Sequence, residues 1–581
     1  MVALVETGQA VNQEKRLTIQ TADIAEDTTT IRSLDWDRDR FDIEFGLQNG
    51  TTYNSYLIRG EKVALVDTSH EKMRQLYLDA LTGQIDPTTI DYLVISHTEP
   101  DHSGLVKDVL KLAPNATVVG AKVAIAFLED LVHDPFEYIV VKSGQTLDLG
   151  NGHVLEFINA PNLHWPDTIF TYDHKTEILF TCDAFGLHYC NEHTFDEDLD
   201  AISPDYRFYY ECLMAPNARS VLGAMKRMDK LDGNITTIAT GHGPLLRHNL
   251  TELTGRYREW SQAKAKAEAR AAVFYVSDYG YSDRLSQAIA RGITKAGVAV
   301  DMMDLKIADA QEINELVGHS AALVVATPPA SGTFATQAQA AVSTILAAAK
   351  DKQLIGMFEC YGGDDEPVDT ILSKFRDLGL KKGFASIRVK DTPNEATYQL
   401  CEESGTDLGQ ALTQKDKVKK LKSLDADMEK ALGRISSGLY ILTAQKGNLS
   451  GAMLASWVSQ ASFEPLGFTV AVAKDRAIES LMQVGDRFVL NILEEGKYSH
   501  LMKHFLKRFP PGADRFEGVK TRTAENGSPI LAEALAYLEC EVSTRMECSD
   551  HWIVYSTVSA GKVSNPEGLT AVHHRKVGNY Y

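Results

Sequence analysis

The chain has 581 residues, 44% hydrophobic and 24% charged, which fits a globular protein of about three or four domains better than one core. Its 59 basic and 79 acidic side chains leave a net charge of −20, a balance that repels nucleic-acid backbones and anionic lipid and suits small diffusing substrates. Seven cysteines with no C-x-x-C pair argue against a disulfide scaffold, a rubredoxin-type iron site and a zinc ribbon, and with no signal peptide or membrane span legible a soluble, cytoplasmic protein is expected.

Residues 1–30 are polar and Thr-rich and read as a loosely held arm. A first domain, 31–258, follows with short β-rich runs such as YNSYLIRG (53–60), KVALVDT (62–68), DYLVISH (91–97), HVLEFINA (153–160) and EILFTCDAF (177–185). Helical stretches at 71–83 and 104–113 lie between them, which predicts a layered α/β domain. A charged, Ala-rich helical connector (256–272) leads into a second domain, 269–412. Its strands at 272–278, 298–305, 321–328 and 354–360 alternate with helices, the rhythm of a doubly wound parallel sheet. A linker, 413–428, carries the lysine-rich run QKDKVKKLKS. The remainder, 429–581, is β-rich without that rhythm and predicts a β-barrel.

The densest chemical signal follows the run at 91–97: His97-Thr98-Glu99-Pro100-Asp101-His102 puts four potential metal ligands in six residues at the mouth of a strand. His164 (in PNLHWPD), Asp183 (in FTCDAF) and His242 (in TGHGP) follow at later strand ends or turns. Each alone is also what a turn or hydrogen-bonding residue looks like. Together, four imidazoles and three carboxylates suffice for two metals sharing one carboxylate.

This order, H-x-E-x-D-H then H, D and H, resembles the metallo-β-lactamase fold, and glutamate in the third position together with H-W-P-D resembles the flavodiiron proteins. The hydrolase form carries histidine where Glu99 stands. Exchanging imidazole for carboxylate adds charge and a hard oxygen donor, which favours iron over zinc. The resemblance implies that His97, Glu99 and His164 hold one iron, that Asp101, His102 and His242 hold the other, and that Asp183 bridges them.

The second domain resembles flavodoxins, which hold an FMN phosphate in a hydroxyl- and glycine-rich loop at a helix N-terminus. The matching loop is Ser277, Asp278, Tyr279, Gly280, Tyr281 and Ser282, in which Asp278 is an unexpected anion. The flanking loops are Thr327-Pro328 with Ser331-Gly332, and Tyr361-Gly362-Gly363. The last domain resembles the flavin reductases, split β-barrels that bind FMN or FAD. Ala455, Ser456, Trp457, Val458 and Ser462, followed by Glu464-Pro465, match that family's A-S-x-V-x-x-x-S…P segment, and Asp550-His551 matches its D-H. No G-x-G-x-x-G follows a strand, so no Rossmann nicotinamide site is expected.

This domain order is that of the three-domain flavodiiron proteins of oxygenic phototrophs. It implies a route from NAD(P)H through the barrel flavin and FMN to di-iron, where dioxygen becomes water. It also implies a head-to-tail homo- or hetero-oligomer, with reduced ferredoxin as another candidate donor. Nitric oxide reduction at the same irons, and a zinc-dependent hydrolase fused to flavin domains, are the rival readings.

Overall fold

The computed structural model describes residues 16–41, 45–266, 269–276, 281–329, 335–360, 367–390, 392–422 and 426–575. It divides into two compact units: one comprises residues 1–214 and 219–261, the other 215–218 and 262–581.

The first unit opens on a hairpin. β1 (Leu17–Ala25) pairs antiparallel with β2 (Thr28–Asp35) through a two-residue turn in which Asp27 takes φ +58°. This corrects the expected arm from residue 17 onward. Threonine is polar by composition but β-branched, and runs such as TTTIRSLD favour the pleated strand. β2 continues into β3 (Thr51–Arg59), β4 (Val63–Val66), β5 (Ile90–Ile95), β6 (Thr117–Gly120) and β7 (Tyr138–Val140), a seven-stranded sheet that is parallel from β4 onward. A second sheet holds β8 (Thr146–Gly150), β9 (His153–Asn159), β10 (Ile169–Asp173), β11 (Ile178–Cys182) and β12 (Thr237–Thr240) in that order.

The two sheets bury Tyr56, Val66 and Val94 against Phe157, Ile169 and Phe180. On the outer face of the first sheet, helices α1 (Arg74–Gln84) and α2 (Lys122–Val132) bury Tyr77, Leu81, Ile125 and Leu128 against Leu57, Leu65 and Leu93. Helix α3 (Leu250–Ala265) buries Leu253 and Tyr257, the latter against Phe185, so it belongs to this unit's core rather than serving only as a connector. The result is an αββα sandwich.

In the second unit, β13 (Arg270–Tyr275) leads through α4 (Ser282–Lys295) to β14 (Ala299–Asp304). β15 (Ala322–Ala326), β16 (Leu354–Cys360) and the short β17 (Ile387–Val389) complete a parallel sheet of order β14-β13-β15-β16-β17, the flavodoxin arrangement. Helix α5 (Glu395–Lys422) runs through most of the lysine-rich stretch expected as a linker; lysine is a good helix former, and a charged run does not by itself end a helix.

The barrel consists of β18 (Tyr440–Lys446), β19 (Leu449–Ala455), β20 (Val458–Phe463), β21 (Leu466–Ala473), β22 (Arg487–Ile492), β23 (Ala536–Cys548) and β24 (His551–Val563). They pair antiparallel in the order β19-β18-β22-β23-β24-β21-β20 around Leu442, Val470, Phe488, Leu490 and Val554. Among the described residues no helix is long and apolar enough to cross a membrane.

Candidate metal centre and flavin sites

The metal-ligand candidates gather because strands of both sheets end at one edge of the sandwich. His97 stands two residues beyond β5, and Pro100–Ser103 then forms one helical turn that presents Asp101 and His102. Asp183 follows β11 directly, His242 stands two residues beyond β12, and His164 lies between β9 and β10. Asp101 is half-buried and the other six are buried.

The donor atoms sort into two groups around Asp183. Its Oδ2 lies 3.4 Å from His97 Nε2 and 3.3 Å from His164 Nε2, while Glu99 Oε2 lies 3.4 and 3.0 Å from the same two nitrogens. Its Oδ1 lies 2.9 Å from His102 Nε2 and 3.3 Å from His242 Nε2, with Asp101 3.5 and 3.4 Å from them. In the first group all four donor atoms fall within 4.8 Å of one another, and Asp101, His102 and His242 meet the same condition.

These spacings fit metal ions. Ligands bound at about 2.1 Å and subtending roughly 90–110° stand about 3.0–3.4 Å apart. His97 Nε2 and Asp183 Oδ2 are buried and make no hydrogen bond, as donor atoms aimed at an ion would be. The mixed nitrogen and carboxylate set suits iron.

The electrostatics also favour positive charge. Burial pushes the His164 imidazole down, but Glu99 and Asp183 outweigh it and lift it to about 10. His102 rises to about 9 against the same burial, through Asp101 and Asp183. Burial likewise opposes the rise at His97, where Asp167 is the strongest counterweight. Glu99 and Asp183 are held well below the carboxylate range despite burial, chiefly by His164 and His102 respectively. Protons on the imidazoles supply the positive charge that metal ions would bring.

Several neighbours carried no assignment in the sequence. The buried Asp167, last residue of H-W-P-D, lies 3.0 Å from His97 Nδ1 and accepts the Thr98 N–H at 2.8 Å. His242 Nδ1 lies 2.6 Å from the Thr52 carbonyl oxygen. Such partners place the proton on Nδ1 and leave Nε2 to face a metal. Trp165 packs edge-on against His97, with ring centroids 5.0 Å apart. Cys182 lies within donor range of His102 and Asp183, and the His188 ring packs at a tilt against His242, centroids 4.6 Å apart, with Nδ1 2.7 Å from Thr51 Oγ1. Asp167 was legible as part of a motif; nothing in GLHYC singled out His188.

Of the expected flavodoxin-type contacts, Ser277, Asp278, Tyr279, Gly280, Ser331, Gly332, Tyr361, Gly362 and Gly363 lie outside the described residues. Tyr281 is exposed, Ser282 is buried at the first position of α4, and Thr327 is buried just past β15 with its N–H bonded to the Phe358 carbonyl at 3.0 Å. Pro328 follows it. All four therefore sit at the carboxyl edge of the parallel sheet, where doubly wound folds bind ligands.

In the barrel, Ala455 and Ser456 are buried at the end of β19, and Val458 opens β20. The Trp457 ring meets His551 at 5.2 Å, and the buried Ser456 Oγ and His551 Nε2 make no hydrogen bond. The structure does not bring Ser462 to this cluster. A bulge in β20 separates it from Gln460, and its hydroxyl donates to the Pro465 carbonyl at 2.7 Å at the far end of the hairpin and lies 2.8 Å from the Tyr555 hydroxyl.

Three family models match the chain: ODP family beta lactamase over residues 51–243, Flavodoxin over 273–405 and Flavin reductase like domain over 432–580. Diflavin flavoprotein A 1 of Synechocystis sp. is 71% identical over 572 residues, spanning 98% of this chain and 99% of the relative. Putative diflavin flavoprotein A 3 of Nostoc sp. is 69% identical over 582 residues, the full length of both. The metal-soaked Flv1 flavodiiron core from Synechocystis sp. PCC6803 superposes with a TM-score of 0.63 at 40% identity, covering 69% of this chain and 99% of that one. With three such domains in series and this identity along its length, the chain belongs to the diflavin flavoprotein A family, flavin-dependent oxidoreductases of the flavodiiron type.

Proposed function

We propose that this oxidoreductase passes electrons from NAD(P)H through a flavin in the barrel and FMN in the flavodoxin-like domain to a di-iron centre that reduces dioxygen to water. The observation that carries the reading is the division of the other six side chains by Asp183, one oxygen facing His97 and His164 and the other facing His102 and His242. His97, Glu99 and His164 would hold one iron and Asp101, His102 and His242 the other, with Asp183 shared. Such a pair, when bound, supplies open positions for an oxidant and changes charge one electron at a time.

The chain's own residues prepare that site. Asp167 and the Thr52 carbonyl orient His97 and His242 with Nε2 toward the centre, and Trp165 covers His97 and keeps water from it. Glu99, Asp101 and Asp183 offset much of the charge of two ferrous ions. In the barrel, Trp457 and His551 offer adjoining ring faces on which a flavin and a nicotinamide can stack.

The test is iron and zinc analysis of the purified protein, followed by NADPH and NADH oxidation with oxygen uptake and peroxide measured together. Two nucleotides consumed per dioxygen, without peroxide, is the expected balance for four electrons and four protons yielding two waters. Zinc in place of iron would overturn the reading. So would one nucleotide per dioxygen with peroxide released, or turnover of nitric oxide but not oxygen.

A further inference from the structure

A partly buried chain of charges joins the two halves of the second unit. Lys295, the last residue of α4, donates from Nζ to Glu402 Oε1 on α5 at 2.7 Å and forms an ion pair, also at 2.7 Å, with Glu479 Oε2 on the barrel's short helix Ala477–Leu481. Glu402 also accepts from Arg291 Nε at 2.8 Å, and Glu479 accepts from Arg545 on β23. Burial alone would push both carboxyls up. Lys295 overrides it, holding Glu479 at about 2 and Glu402 below its ordinary range, so the chain stays charged at working pH. The helices beneath are in close contact: a Cβ at Gly292 would stand 2.0 Å from the Glu402 carbonyl oxygen, and one at Gly405 2.0 Å from that of Ile289. Along α5, Gln399 bonds the Ser450 carbonyl at 3.2 Å, Glu403 pairs with Arg515 at 2.9 Å, and Gln410 bonds the Asp475 carbonyl at 2.9 Å.

The position of this cluster relative to the two flavin sites is informative. α4 leaves the sheet at Ser282, on the carboxyl edge that also carries Thr327. Lys295 stands about 20 Å further along the axis, at 1.5 Å per residue, toward the opposite edge. On the barrel side, the Arg545 guanidinium lies 4.1 Å over Trp552, next in sequence to His551, whose ring meets Trp457. The Lys474 N–H bonds the Asp550 carbonyl at 3.0 Å, which ties His551's neighbour to the segment that Gln410 grips, late in α5. Both helices therefore place the barrel's Trp457–His551 cluster near the end of the flavodoxin-like domain that is remote from its own flavin edge.

Resting on the reading that both domains bind flavin, we propose that the Arg291–Glu402–Lys295–Glu479–Arg545 chain is a latch. Closed, it holds one chain's two flavins at opposite ends of α4; electrons pass from barrel to flavodoxin-like domain within the chain only when it opens. Each such step moves one electron from the reduced barrel flavin to the oxidised second flavin, with NAD(P)H supplying electrons in pairs as hydride. Lys295 and Glu479 are positioning residues here, since they touch neither flavin site directly.

The test compares the full-length holoprotein with its Lys295→Met/Glu479→Gln form, which removes both central charges at nearly constant volume and leaves the Arg291–Glu402 pair in place. Hydrogen exchange should rise in 395–410 and 477–481. In stopped-flow reduction by NADPH, the first flavin should be reduced at an unchanged rate. The second should be reduced roughly tenfold faster, because the rate scales with the open fraction. Gln410→Ala, which removes one peripheral contact, should shift both readouts less and in the same direction. Unchanged exchange overturns the latch, as does a second phase that is unchanged or slower; the slower result would make the cluster a contact that brings the flavins together. If NADPH reduces neither flavin, the donor assignment fails, and the exchange measurement alone decides the latch.

Discussion

Replacing Asp167 with asparagine should weaken metal binding without touching any ligand. One carboxylate oxygen faces His97 Nδ1 at 3.0 Å and the other accepts the Thr98 N–H at 2.8 Å, inside a fully buried site. As a carboxylate, Asp167 accepts on both sides, so the His97 proton sits on Nδ1 and Nε2 keeps its lone pair. An amide has one acceptor. Keeping the Thr98 bond turns its NH2 toward Nδ1, which moves the ring proton to Nε2, where a metal must bind. Loss of such a partner behind a ligating histidine typically costs 10–100-fold in metal affinity, about 1.4–2.7 kcal/mol. Iron binding measured against a calibrated chelator should weaken by that factor in Asp167→Asn. Asp167→Ala, which leaves the ring free to choose its tautomer, should lose less affinity although it loses more fold stability. Unchanged affinity in the asparagine variant, or a larger affinity loss in the alanine one, would refute the tautomer argument.

Two further outcomes concern the metal site and the barrel. His102 and His164 have folded values of about 9 and 10, above the unfolded value near 6.5. In iron-free protein their stabilisation should be fully present below about pH 6.5 and lost as pH rises through 9–10, so chemical denaturation midpoints should fall across that window. With iron bound at Nε2 the imidazoles are neutral and have no second proton to lose in this range, and the fall should vanish; iron binding itself should tighten with pH over the same range. In the barrel, Trp457→Ala removes the ring that faces His551 and should cut bound flavin from two toward one per chain, as counted by absorbance after denaturation, while iron content holds.

Much of the chemistry was legible because it is local. His97, Glu99, Asp101 and His102 fall within six residues after a strand, and no fold is needed to see that they can share an ion. The βαβ rhythm of the second domain and the β-rich end of the chain were equally plain, since hydrophobic period and turn residues are local properties. Two composition signals misled. Threonines at 17–30 counted as polar although their branched side chains build β1 and β2, and the lysines at 414–423 marked a linker where α5 continues.

Which partner each local feature meets depends on tertiary structure alone. His164, Asp183 and His242 join the cluster because strands of both sheets end on one edge, and the pleat fixes which side chains face it. Asp167 acquires its role only when β10 lies beside the loop after β5, and His188 has none until its ring packs against His242. Lys295 in sequence is one basic residue at a helix end; packing of α4 and α5 against the barrel sets it, half-buried, between two carboxylates. The reason is common to all of these: residue type and spacing set what a segment can do, whereas low-dielectric contacts between distant segments set which proton, charge or ion it holds.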